Sequence, residues 1–239
     1  MDELALKADG IISTIDRLSL RITDRFPGSG LAGVCARLHN ISRETEKTVT
    51  WISTPIYTLR VISFLAIVGL VGLVAWIVYY VGITELPEFL DLLSATESSL
   101  NLLILLSVVV VFIWSWELRI KRRRVLKSIN RLRDVAHVVD MHQLTKDPDG
   151  VSNVSAPTRH SPKRTLTLYE TGRYLDYCTE LLSLISKLGY LYVTLLDDDV
   201  ATNAANELET HTTGMSRKIW QKIIILKSMQ QGGTAIVPK

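Results

Sequence analysis

The chain has 239 residues, 47% of them apolar, with a formal charge of +3. That charge is uneven: residues 119–164 hold +8 (12 basic, 4 acidic) and residues 56–118 hold −4 (1 basic, 5 acidic). The basic excess is therefore one block beside an apolar stretch, which excludes a nucleic-acid-binding face, and the polar remainder suffices for one domain of ordinary size but not several.

Residues 2–24 are predicted to be helical. Leu4, Ala8, Ile11, Ile15, Leu18 and Ile22 recur at spacings of four and three, a heptad-like seam of the coiled-coil kind. Phe26-Pro27-Gly28-Ser29-Gly30 interrupts it, because proline and glycine together stop a helix and permit a reversal. A second helix is expected from Leu31 to Ser53, with its seam at Leu31, Val34, Leu38, Ile41, Thr45, Thr48 and Ile52. Residues 1–55 thus form an N-terminal helical hairpin. No n-region followed by an apolar h-region opens the chain, so no secretory signal is expected. Cys35 and Cys178 are expected to be reduced thiols on the cytoplasmic side.

Two uncharged runs follow, Val61 to Thr84 with 24 residues and Ser98 to Trp116 with 19. At about 1.5 Å per residue they reach roughly 36 and 28 Å, enough for a hydrocarbon core of about 30 Å. Residues 56–117 are accordingly expected to be a transmembrane hairpin with a short acidic outer loop, Glu85 to Glu97, that contains no Lys or Arg. Eight basic residues follow the second run between Arg119 and Arg133, so the positive-inside rule places both termini in the cytoplasm. Neither span contains an internal charge or histidine, so neither offers a ligand for an ion or a proton. Small residues at Ser63, Ala66, Gly69, Gly72 and Ala75 suit packing against the second span or another copy.

Residues 118–146 are expected to form a basic juxtamembrane helix whose stripe is Leu118, Val125, Ile129, Leu132, Ala136, Val139 and Gln143. Its Arg119, Lys121, Arg122, Arg123, Arg124 and Lys127 determine topology and are candidates for contact with anionic lipid headgroups. Further along the helix Asp134, His137, Asp140 and Met141 form a candidate polar or pH-sensitive cluster. His137 and His142 stand five apart, about 140° around a helix, so they cannot share a metal as i, i+4 histidines do. Local ion pairing or packing is the preferred reading, and no metal is expected.

Residues 147–164 are expected to be a flexible linker. Residues 165–230 follow as a C-terminal helical hairpin of two helices, about Leu166 to Leu196 and Val200 to Met229, with Gly232 and Gly233 expected to end the second and 231–239 as a tail. The hairpin's first helix has the seam Leu175, Cys178, Leu182, Ile185, Gly189, Tyr192 and Leu196. Its second has Val200, Ala204, Leu208, His211, Met215, Ile219, Ile223 and Leu226. Between them Asp197-Asp198-Asp199 is expected to cap the second helix rather than to hold a cation. There is no Walker loop, zinc-type spacing or dinucleotide turn, so no cofactor and no catalytic residue is expected.

The reading is an all-α membrane protein with two transmembrane helices and a cytoplasmic bundle formed by the N- and C-terminal segments. Its expected role is a non-enzymatic, membrane-anchored interaction or scaffold module. Its expected partners are membrane lipids and a second copy or a helical protein. The alternative is an oligomeric channel or transporter built from the hairpin.

Overall fold

A strict three-four spacing of Ile and Leu leaves one side of a helix apolar, and that side must find a partner. In the computed structural model, which describes residues 8–82, 89–148, 159–160 and 166–234, helix α1 (Ala8–Arg25) buries Ile11, Ile15, Leu18 and Ile22, the four described apolar members of the seam beyond Ala8. Leu4 lies outside the described residues. Helix α2 (Gly30–Ser53) buries all seven expected seam positions, and Cys35 and Ser42 besides. Between the two helices Gly28 takes φ +68°, where a side chain would clash with its own backbone, and Ser29 Oγ caps α2 by accepting the Ala32 N–H at 3.2 Å. Phe26 is more than a breaker: it is buried, with its ring edge-on to Tyr174 and Tyr177 at 5.4 and 6.2 Å.

All described elements are helices. They are α3 (Tyr57–Gly82), α4 (Phe89–Trp114), α5 (Trp116–Leu144), α6 (Leu168–Leu191) and α7 (Asp199–Thr234). The chain divides into two compact units, one of residues 1–53 with 124–239 and the other of residues 54–123.

In the first unit α6 is the centre. It packs on α1, α2 and, most extensively, α7, and twelve of its residues are buried. Its N-terminus carries a capping box, with Thr167 and Glu170 each satisfying the other's backbone N–H. The expected helix from Leu166 to Leu196 is shorter at both ends, and Tyr192 and Leu196 are buried beyond its last turn. Close approach to α7 is possible because residue 189 is glycine: a methyl group there would run into the Leu208 side chain. Helix α7 begins at the Asp cluster as expected. Asp198, itself buried, accepts the Ala201 N–H at 2.8 Å. Three early positions of the α7 seam are displaced by one residue, with Ala201, Ala205 and Thr212 buried while Val200 is exposed and Ala204 and His211 are half-buried; Leu208 between them is buried as expected. Gly232 and Gly233 do not end α7, which continues to Thr234. Most of the expected linker, residues 149–158 and 161–165, and the tail beyond Thr234 lie outside the described residues.

In the second unit α3 packs on α4. One stretch, ending at Trp76, is long and apolar enough by itself to cross a membrane; its most apolar 18 residues average 2.3 in hydropathy and none is buried. A second counts only if the bent pair α4–α5 is taken as one span. Of the two expected spans, one helix therefore meets the length and hydropathy of a span by itself. The α4 part of the bent pair runs from Leu100 to Trp114, about 22 Å of helix, before a break at Ser115. The expected outer loop is also shorter than Glu85 to Glu97, because α4 already begins at Phe89; residues 83–88 lie outside the described residues. Among the described residues a Cβ at Gly69 or Gly72 would meet nothing within 4 Å.

Candidate functional site

The basic run does not act as one surface. Lys121 is buried: its ammonium donates to the Thr54 carbonyl at 3.0 Å and pairs with Glu117 at 2.9 Å, a role unsuited to headgroup contact. Arg60 Nε reaches the same carboxylate at 2.8 Å, and the Ile56 N–H donates to it at 3.3 Å. Partial burial pushes the Glu117 carboxyl up, but hydrogen bonds from Arg60, Lys121 and the Ile56 N–H outweigh it and bring it to about 2. This knot joins the start of α3 to the start of α5. Beside it Leu59, Arg60, Ser63, Phe64, Trp114 and Glu117 line a cavity of about 410 Å³. Arg119 lies over the Phe112 ring at 4.5 Å and Arg124 over Trp51 at 4.4 Å, so two more of the six cations are spent on aromatic faces. Arg123 and Lys127 are exposed and Arg122 is half-buried.

Asp134, His137, Asp140 and Met141 likewise do not converge on each other. Asp140 accepts a hydrogen bond from Gln143 Nε2 at 2.8 Å, Asp134 is exposed, and Met141 is 66% exposed. His142 packs over Gly30, where a Cβ would overlap its ring. His137 does find a partner, but on α7: its ring lies 4.7 Å from that of His211, tilted by 60°. His211 is half-buried, and its Nε2 is enclosed with no hydrogen-bond partner among the described residues. The three-four rhythm of α7 assigns His211 to the core seam and does not reveal the pair. Its signal was a ladder, since Arg133–Glu207 at 3.1 Å and His137–His211 are each advanced by four residues on both helices.

Nucleophilic chemistry has no seat at the two thiols. Burial pushes Cys35 up to about 11 and Cys178 up to about 12, so neither is a thiolate near neutrality. No group of three or more His, Cys, Asp or Glu side chains that could hold a metal exists among the described residues. An open groove of about 1250 Å³ runs between α1, α6 and α7 and is lined by residues that include Ile11, Thr14, Leu182, Ser186, Thr212 and Trp220. It mixes aliphatic side chains with hydroxyls, and past its end Ile224 follows Trp220 by one turn, both more than half exposed. In comparisons with known protein families, curated proteins and solved structures, the chain matches none of them.

Proposed function

We propose that the chain is a non-enzymatic membrane-anchored module: α3 and α4 cross a bilayer as a hairpin, and the helical unit presents a surface to a helical partner or a second copy. The observation that supports this most is the exposure of α3 and α4. Eight large apolar side chains between Val61 and Trp76, and eight between Leu100 and Trp114, are exposed. At about 1 kcal/mol for each half-exposed side chain, leaving them in water costs roughly 15 kcal/mol, as much as the whole net stability of a domain. A hydrocarbon environment removes that cost. Helix α4 as a whole has 26 residues, about 39 Å, so it spans if Asp91 and Glu97 lie toward the outer interface. The basic residues after Trp116 favour both termini in the cytoplasm. On the helical unit, the groove beside Trp220 has the mixed apolar and hydroxyl lining that a partner helix would fill.

Alkaline extraction of membranes from cells making the full chain tests the anchor: the protein stays in the pellet, and release into the supernatant would defeat the reading. Single cysteines placed at Glu88 and Glu97 should react with an impermeant reagent from outside and one at Arg159 should not; the reverse pattern would overturn the orientation. Purified protein in liposomes should pass no ions under a gradient. Flux would transfer the assignment to the channel reading.

A further inference from the structure

We infer that His137 of α5 and His211 of α7 form a two-imidazole clamp for a divalent first-row transition ion of the zinc, nickel or copper kind. The inference is independent of the membrane reading, because both residues belong to the helical unit. Its first support is geometric. An imidazole nitrogen stands about 2.0–2.1 Å from such an ion, so two rings on one ion have centroids roughly 4.5 Å apart at a right angle and about 5 Å at the tetrahedral angle. The observed separation is 4.7 Å, inside that interval, and the 60° tilt keeps the rings from stacking face to face. The second support is chemical. His211 Nε2 is enclosed and has no partner among the described residues, whereas buried polar nitrogens in folded proteins almost always have one. A ligand shared with the neighbouring imidazole would account for it.

The surroundings define what the clamp accepts. Glu207, one turn before His211, is engaged by Arg133 at 3.1 Å, so that carboxylate is already neutralised. No third His, Cys or carboxylate completes a protein cage among the described residues, so water fills the remaining positions. Asp134 and Met141 stand one turn to either side of His137 on α5. Two imidazoles without a carboxylate cage favour borderline metals over magnesium or calcium, and affinity should follow the general order in which copper exceeds zinc. His137 is exposed, which gives an ion a way in. Once bound, the ion would fasten α5 to α7 one turn beyond the Arg133–Glu207 pair.

The test uses the full chain purified in detergent without a polyhistidine tag. Equilibrium dialysis against Zn2+ or Cu2+, followed by metal analysis, should find one ion per chain, and the unfolding temperature should rise with ion concentration. Magnesium at the same concentrations should neither bind nor raise that temperature. His137→Gln, at an exposed position that the fold tolerates, should weaken binding by about tenfold or more, as should His211→Gln, while His142→Gln should leave it unchanged. Absence of zinc and copper binding at millimolar ion, or binding indifferent to His137→Gln, would overturn the assignment. The two cysteines do not confuse the result, since both are buried and protonated.

Discussion

Leu38 sits in the middle of α2 with no exposed surface, and its replacement by aspartate tests whether the two ends of the chain fold as one body. Truncating a buried leucine costs about 2–5 kcal/mol. A carboxylate left without a partner in the same place adds several kcal/mol more, or must take up a proton. The sum approaches the roughly 5–15 kcal/mol that holds an ordinary domain together. The loss should reach distant residues because α1 and α2 pack on α6. Thr45 and Tyr192 share a buried hydrogen bond of 2.7 Å, and Phe26 inserts beside Tyr174 and Tyr177. The Arg21–Glu180 pair at 2.9 Å is half exposed and contributes little. Limited proteolysis of the full chain, with cut positions read by mass spectrometry, is the assay. Cuts between Leu175 and Leu226 should appear at lower protease for Leu38→Ala than for wild type, and at lower still for Leu38→Asp. If α1 and α2 are cut while α6 and α7 stay as resistant as in wild type, the two hairpins are independent and the reasoning fails.

Three further outcomes are expected. Thr45 Oγ1 donates to the Ile41 carbonyl at 2.8 Å, which leaves the Tyr192 hydroxyl as donor in their shared bond, so Tyr192→Phe should cost about 1 kcal/mol in denaturant unfolding; an unchanged midpoint would show that this bond contributes nothing. Gly30→Ala should destabilise by about 1–3 kcal/mol through collision with the His142 ring, and His142→Ala should recover most of that loss; equal penalties in both backgrounds would sink the packing argument. The Glu117 carboxyl lies lower in the folded chain than in the unfolded one, so its contribution is complete above about pH 4.5 and disappears as pH falls toward about 2. Glu117→Gln should flatten the acid limb of the thermal stability profile, and an acid limb identical to wild type would mean that other carboxylates carry it.

What was legible in the sequence depended on how many sides of each helix are covered. Helices α1 and α2 each bury a single stripe, and a three-four rhythm reports a single stripe faithfully. Helix α6 has α1, α2 and α7 around it, so Tyr174, Tyr177, Leu181, Leu184 and Leu188 are buried outside the expected seam. A one-stripe template finds only part of such a helix. On α7 the rhythm favoured the larger Val200 over Ala201, yet Ala201 is buried and Val200 exposed. Where helices approach closely, as Leu208 does over Gly189, small residues face inward, and hydrophobicity alone points the wrong way. Lys121 shows the same limit for charge: composition placed it among headgroup contacts, but its ammonium is enclosed by Thr54 and Glu117, which only tertiary structure brings beside it. His211 is the most instructive case. A histidine at the edge of an apolar seam counts as core when each helix is read separately, and His137 counts as surface. Paired four-residue steps on two helices turn them into neighbours, and the chemistry then belongs to the pair rather than to either helix.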